Sequence, residues 1–239
     1  MNKLFIRIFQ LNPMKNLIDV LRSFEAVKVI ASEIDYSEYV ALDLSVFSSE
    51  LQHHSLVTSQ DYEVFIQNHL DKTNAKIAFG GYLERRNLYK RSTVFKNESS
   101  NERNIHIGLD LWINEQAAIF AALDGKIHSF QNNDAVGDYG PTLILEHNIN
   151  GFTFHTLYGH LSLDSLKDKT IGDEIKQGIQ IATLGLPPIN GDYAPHLHFQ
   201  IIINMENKKG DYPGVCNVKD LGFYSKNCPN PNLLLKIKK

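Results

Sequence analysis

Short apolar runs separated by turn signals fill the chain from about residue 104 onward, and this spacing constrains the fold most strongly. The runs are IHIGLDLWI, DGKIHSF, PTLILEH, FTFHTLYGHL, GDEIKQGIQIATLG and PHLHFQIIIN. Asn150-Gly151, between the third and fourth runs, is typical of a tight hairpin turn. The series predicts a mainly β protein with an antiparallel β-sandwich or barrel-like core.

The preceding region follows a different pattern and predicts a small α/β segment. Residues 12–31 have helical spacing, with Asn12 as the cap and Pro13 at the first helical position. A second helix is predicted after Thr58, because Asp61 completes a capping box. The runs YVALDLSVF and AKIAFGGYLE predict strands. We therefore expect an α/β segment over 1–84, a β core over 85–205 and an irregular C-terminal tail over 206–239, packed on the core.

Composition excludes several classes of function. The formal net charge is −3 and no basic stripe stands out, which argues against nucleic-acid binding. No run of about 18 apolar residues predicts a membrane span. The opening stretch MNKLFIRIFQLNPMKN resembles a signal peptide only superficially, because polar residues interrupt its apolar part and no small-residue cleavage site follows. Cys216 and Cys228 are too few for a disulfide framework and are interpreted as free thiols. We expect a cytoplasmic protein whose oligomeric state the sequence leaves open.

Two histidines lie one residue apart in the run APHLHFQIIIN. Side chains alternate between the faces of a strand, so His196 and His198 project from the same face. A pair of imidazoles on one face suits a metal site, although a solvated strand edge would place them there equally well.

The run NIHIGLDLW gives a similar pattern. Read as a strand, it puts His106, Gly108 and Asp110 on one face, and the glycine leaves a gap for a metal ion and substrate. Adding His198 completes a set of two imidazoles and a carboxylate that suits catalytic Zn²⁺, with a fourth position for water. His160 follows a glycine at the end of a predicted strand, where it either reaches into a groove or is a polar strand terminus.

The order H-x-G-x-D, Y-G-H-L and H-L-H-F over residues 102–203 resembles the LytM/lysostaphin-type zinc metallopeptidases. AALDGKIHSF is similar to the D-G-x-V strand of that family, and IGDEIKQGIQIATLG to its G-D-x-V-x-x-G-x-x-I-G segment. The resemblance implies that His106, Asp110 and His198 are zinc ligands. It implies that His160 and His196 are catalytic histidines that do not bind the metal.

Several flanking pieces resemble one variant of the family, the peptidase-like segment fused to class III aminotransferases. They include DYGPTLILEH, TLYGHLS, PHLHFQ and CPNPNLLL, and also YVALDLS and ERRNLY, so that this resemblance spans about residues 37–235.

Typical members of the LytM/lysostaphin-type family cut the stem peptides or cross-links of bacterial cell walls. The resemblance therefore implies a peptide or peptidoglycan-fragment substrate.

The leading hypothesis is a zinc-dependent metalloendopeptidase or amidase that hydrolyses a peptide-like amide. A neutral histidine would accept a proton from the attacking water, and the sequence leaves open whether His160 or His196 is that base. The alternative is a non-catalytic module in which zinc stabilises a groove that binds a peptide or protein. A lipoyl-like β module shares the glycine turn pattern but does not account for the histidines.

Other polar residues have weaker signals. Arg85 and Arg86 either orient a substrate carboxylate or form a solvated pair, and the loop NNDAVGDYGP either borders the groove or lies on the surface. Tyr193 is a candidate for substrate contact. Three further histidines on predicted strands are interpreted as structural: His128, His147 and His155.

Overall fold

The structure is a computed structural model that describes residues 16–54, 56–87, 102–113 and 116–238. Its helices are α1 (Leu17–Ser23), α2 (Ser59–Thr73), α3 (Leu221–Asn227) and α4 (Asn232–Leu235). Its strands are β1 (Tyr39–Ala41), β2 (Ile77–Gly80), β3 (Ile105–His106), β4 (Leu109–Trp112), β5 (Ala118–Phe120), β6 (Gly125–Asn133), β7 (Gly140–Ile149), β8 (Phe152–Gly159), β9 (Glu174–Ile175), β10 (Gln180–Thr183), β11 (His196–Ile202) and β12 (Val215–Cys216).

One large sheet has the strand order β1-β2-β4-β11-β8-β7-β6-β9. β1 and β2 pair in parallel, and every other neighbouring pair in this sheet is antiparallel. The pairs β5–β10 and β3–β12 form two small sheets. The predicted strand-rich character is confirmed, and the structure adds that eight of the strands form one large, mostly antiparallel sheet. The sandwich or barrel-like arrangement is not confirmed, because the large sheet has two free edges and the described ranges form no closed barrel.

The predicted hairpin joins β7 to β8 and sets the register of the central strands. Ile149 pairs with Phe152, and the two residues between them have φ angles of 53° and 82°. A two-residue turn of this kind needs positive φ at both positions, which Asn and Gly accept. β8 in turn pairs with β11, so that Gly159 lies opposite His198.

β11 separates the apolar core from the polar face of the sheet. Leu197, Phe199 and Ile201 project into the main hydrophobic core. His196 and His198 alternate with them and project from the opposite face. Because the whole strand is buried, both imidazoles lie under other parts of the chain and not at a solvated edge.

The N-terminal region confirms one helix and corrects the other. α2 begins after Thr58, whose side chain accepts a hydrogen bond from the Asp61 amide while the Asp61 carboxylate accepts one from the Thr58 amide. Asn16 caps α1, and residues 12–15 lie outside the described residues. The expected helix to residue 31 is wrong, because the chain is extended from Phe24 and residue 30 bridges β5. The β-branched residues of AVKVI favour that extended pairing.

The C-terminal segment has more regular structure than the sequence indicates. It was expected to be irregular, but it contains β12, α3 and α4. Leu234 and Leu235 pack into the main core, and Cys216 and Cys228 are buried free thiols. The domain boundaries at residues 84 and 205 stay predictions. No helix in the described ranges has both the length and the apolar character needed to cross a membrane.

Candidate active site

Two neighbouring strands and a short connection bring the predicted metal ligands together. Asp110 on β4 lies directly opposite His198 on β11. The run from residue 105 to 112 is not one strand, as predicted, but two, because β3 leaves the large sheet and pairs with β12. His106 nevertheless returns to the site, with its Nε2 3.3 Å from Asp110 Oδ1.

Three potential ligand atoms converge at this point. His106 Nε2 lies 2.9 Å from His198 Nδ1, and His198 Nδ1 lies 3.1 Å from Asp110 Oδ1. All three side chains are buried. Their ligand atoms lie within 4.8 Å of one another, as a single metal ion requires.

The outer nitrogens of both rings face carbonyl oxygens. His106 Nδ1 lies 3.0 Å from the Gly81 carbonyl oxygen, and His198 Nε2 lies 2.9 Å from Gln200 Oε1. The Gln200 amide is oriented so that its Nε2 donates to the Pro213 carbonyl. Since a carbonyl oxygen only accepts, each outer nitrogen carries the ring proton. The inner nitrogens, His106 Nε2 and His198 Nδ1, are therefore left with lone pairs.

Three hydrogen-bond acceptors, His106 Nε2, His198 Nδ1 and Asp110 Oδ1, therefore face one another, and a cation between them would satisfy all three. Two neutral imidazole nitrogens and a carboxylate oxygen are the donors that Zn²⁺ accepts in catalytic sites. Burial lowers the pKa of His106 to about 4, which keeps the ring neutral at pH 7. Burial raises the pKa of Asp110, but the adjacent Arg86 guanidinium lowers it, and that pKa lies well below its usual value.

Arg86 fixes the carboxylate of Asp110. Its Nη1 donates to Asp110 Oδ2 at 2.6 Å, and its Nε pairs with Glu84. The Oδ2 atom is therefore occupied, and Oδ1 faces the histidines. The interpretation of a solvated arginine pair is wrong for Arg86, which is 1% exposed, whereas Arg85 is exposed.

Gly108 has a different role from the expected one. A Cβ atom at this position would overlap the imidazole ring of His198. The space left by the glycine is therefore filled by a ligand side chain and is not a gap for substrate.

The two remaining histidines lie beside the three candidate ligands. His196 Nδ1 lies 2.7 Å from the Ala194 carbonyl oxygen, and His160 Nδ1 lies 2.7 Å from that of Asn190. The ring centroids are 4.2 Å apart, and His196 Nε2 lies 3.9 Å from Asp110 Oδ1. In each ring Nδ1 carries the proton, so that Nε2 has a lone pair.

Both rings are neutral in this environment. Burial lowers the pKa of His160 well below its usual value, and the neighbouring His196 and His198 lower it further. Burial also lowers the pKa of His196. A neutral imidazole with an unprotonated Nε2 is able to accept a proton.

His160 has an unusual backbone conformation. Its φ angle is 62°, in the left-handed region that non-glycine residues rarely adopt. The conformation is held because its amide donates to the Tyr139 carbonyl and its carbonyl accepts from the Gly185 amide. Strain of this kind is concentrated at functional sites, and the turn after β8 points the ring towards His196.

A cavity of about 460 Å³ opens over these five side chains. Three aromatic residues line it and contact the histidines: Trp112 stacks on His196, Tyr139 packs against His160 and His198, and Tyr193 meets His160 edge to face. The loop around Tyr139 therefore borders the cavity and is not simply surface. The Tyr193 hydroxyl donates to the Gly137 carbonyl, which ties this side chain to the same loop.

Several residues of the site were not identified from the sequence. Gln200 had a usable signal, since it lies two residues after His198 and so shares its strand face. Gly81 and Glu84 had none, because no periodic pattern connects their loop to β4. Arg86 was predicted only as a contact for a substrate carboxylate, whereas it holds Asp110.

The comparisons with known proteins concern the same part of the chain. Residues 104–210, somewhat less than half of the chain, match the model of Peptidase family M23. A search of curated proteins found no match. The catalytic domain of the antimicrobial peptidase lysostaphin from Staphylococcus simulans is 26% identical, with 51% of this chain and 80% of that chain covered and a TM-score of 0.36.

Two further solved structures show similar partial coverage. Lysostaphin itself is 26% identical, with 51% of this chain and 44% of that chain covered and a TM-score of 0.34. A mutant catalytic domain of the prophage-encoded M23 protein EnpA from Enterococcus faecalis is 18% identical, with 50% and 87% covered and a TM-score of 0.36. The segment that carries all five candidate site residues is thus a match to Peptidase family M23.

Proposed function

We propose that this chain is a zinc-dependent metallopeptidase or amidase that hydrolyses a peptide-like amide bond. The observation that carries the proposal is the set of three acceptors, His106 Nε2, Asp110 Oδ1 and His198 Nδ1, with both outer ring nitrogens bonded to carbonyl oxygens. The match of residues 104–210 to a peptidase family supports it. Zinc held by these atoms would supply Lewis acidity and a water of lowered pKa.

The chain's own histidines would move the proton of the attacking water. His196 and His160 both present an unprotonated Nε2 beside the three candidate ligands, and either is able to accept that proton. Once protonated, the ring would donate a hydrogen bond to the developing oxyanion or pass the proton to the leaving amine. His196 Nε2 lies near Asp110 Oδ1, so an imidazolium at this position gains a carboxylate neighbour. We therefore assign the general base to His196 and the oxyanion contact to His160.

The cavity suits an extended peptide. Aromatic rings line it together with the apolar side chains of Leu44 and Ile66 from the N-terminal region. We propose a peptide or a peptidoglycan fragment as the substrate. We also propose that the chain is related to the variant fused to class III aminotransferases and that it is located in the cytoplasm. Cell fractionation tests the location, and recovery mainly from the periplasm would contradict it.

The decisive experiment combines zinc content with turnover. Wild type, His198→Ala and His196→Ala are purified, their metal is measured by elemental mass spectrometry, and cleavage of a panel of peptides and peptidoglycan fragments is followed by mass spectrometry. We expect His198→Ala to lose one equivalent of zinc and all turnover, and His196→Ala to keep its zinc but lose turnover. The exposed His53→Ala is the matched control, expected to change neither.

The outcomes separate the two hypotheses for function. If His198→Ala holds as much zinc as the wild type, the assigned metal site is wrong. If wild type binds zinc and retains fragments of the panel without cleaving any, the non-catalytic binding module is the better account. Unchanged turnover in His196→Ala would reject its role as the general base.

A further inference from the structure

A second group of metal-ligating side chains lies outside the candidate active site. His128 on β6, Glu146 on β7 and His155 on β8 bring one possible ligand atom each to within 4.8 Å of the others. The two imidazole rings meet edge to face, with centroids 4.8 Å apart. His155 Nε2 lies 3.7 Å from Glu146 Oε2.

The sheet itself places these three side chains on one face. Glu146 and His155 are directly paired across β7 and β8. The β6–β7 register shifts between Ile127 and Ser129, so His128 is the extra residue of a β-bulge. Lys126 pairs with Glu146, and His128 lies two residues further along β6, so alternation puts His128 on the same face as Glu146.

The protonation of the two histidines is compatible with metal binding. Burial lowers the pKa of both His128 and His155, which favours their neutral, ligating form. His128 Nδ1 lies 2.7 Å from Ser129 Oγ, so that Nε2 is left for a ligand when Nδ1 donates. The His155 ring has a hydrogen bond with the Ile202 backbone, while its Nε2 faces Glu146 Oε2.

The two carboxylate oxygens of Glu146 contact different residues, Lys126 and His155. Lys126 Nζ lies 2.9 Å from Oε1, while Oε2 faces His155. The lysine thus offsets part of the carboxylate charge without occupying the oxygen that faces the imidazoles.

We infer that His128, Glu146 and His155 form a second metal site, which binds a divalent first-row transition ion such as Zn²⁺. Two imidazoles and a carboxylate are suitable ligands for this class of ion and leave a position for water. His155 is four residues from Gly159, which pairs with His198, so the two sites lie about 13 Å apart along the sheet. Leu157 and Gln200, both buried, are paired with each other between these two positions.

The test is zinc stoichiometry of the full chain by equilibrium dialysis and elemental analysis, with variants that remove each site separately. Wild type is expected to bind about two equivalents, His198→Ala and His128→Asn about one each, and the double variant none. His53→Asn is the matched control and is expected to behave as the wild type. Thermal unfolding shows whether each variant is folded.

A second variant protects the test against misfolding. Glu146→Gln keeps the shape of the side chain and is expected to weaken zinc binding in the His198→Ala background by at least about tenfold. The inference is overturned if His198→Ala binds no zinc, or if His128→Asn and Glu146→Gln bind as much and as tightly as their parents. Since the readout is binding outside the candidate active site, failure here leaves the proposed peptidase activity untouched.

Discussion

Gln200→Leu tests the proton arrangement on which the proposed zinc site depends. The Gln200 Oε1 atom lies 2.9 Å from His198 Nε2, and this contact keeps the ring proton on the outer nitrogen. Leucine has a similar size but no acceptor, so the ring is free to place its proton on Nδ1, the nitrogen that would bind zinc. Loss of such an outer partner weakens metal binding by about 10- to 100-fold, which is about 1.4–2.7 kcal/mol.

The assay is a zinc competition with a chromophoric chelator, with the His128→Asn background used to remove the second proposed site. Gln200→Glu retains an acceptor oxygen and is expected to stay nearer the wild-type affinity than Gln200→Leu. The exposed Gln52→Leu is the control for the substitution itself. Thermal melts identify any loss of folding, since Gln200 also donates to the Pro213 carbonyl. A zinc affinity within twofold of the wild type in a folded Gln200→Leu protein would refute the argument.

Three other perturbations have expected outcomes of different kinds. Gly108→Ala is expected to abolish zinc binding at the candidate active site, because its Cβ would overlap the His198 ring; elemental analysis that finds full zinc would contradict this. Arg86→Met leaves the buried Asp110 carboxylate and the partly buried Glu84 carboxylate without their cation. It is expected to lower the free energy of unfolding by about 3–5 kcal/mol, as measured in urea; a loss below about 1 kcal/mol would show that these ion pairs contribute little. Burial lowers the pKa of His147 to about 4, so between pH 6.5 and 4 the unfolded chain binds a proton that the folded chain does not. Stability should therefore fall by about 2 kcal/mol from pH 7 to pH 5 on account of this residue, and unfolding curves of His147→Gln should lack that part; an unchanged pH dependence would reject it.

The predictable part of the fold came from local signals. Asn150-Gly151 predicts its turn because few other residue pairs accept positive φ at two successive positions, and Thr58 with Asp61 predicts a helix start because the two groups satisfy each other. The prediction that the first helix continues past Ser23 was wrong because a long-range contact decides the conformation there. The extended residues after it pair with β5, a partner distant in the chain that no local pattern reveals.

Some residues of the candidate site were likewise predictable from the sequence and others were not. The shared strand faces and the family resemblance together predict the group of His106, Asp110 and His198. The strand breaks between the first two, yet His106 Nε2 still lies 3.3 Å from Asp110 Oδ1. Arg86 was predicted either to contact a substrate carboxylate or to be solvated, and its burial was not foreseen because its neighbours in sequence are polar. Its burial follows from the Asp110 carboxylate, which lies on a strand outside its own loop.

The loop at residues 81–86 determines how long a fragment must be to keep the candidate active site intact. The matched family segment begins at residue 104, yet the carbonyl that orients His106 and the guanidinium that holds Asp110 both come from this earlier loop. A fragment cut at the family boundaries would contain every candidate ligand and still lack the groups that aim two of them. Transfer or excision of the candidate active site therefore requires residues 81–86 as well, and the segment that holds its geometry is longer than residues 104–210.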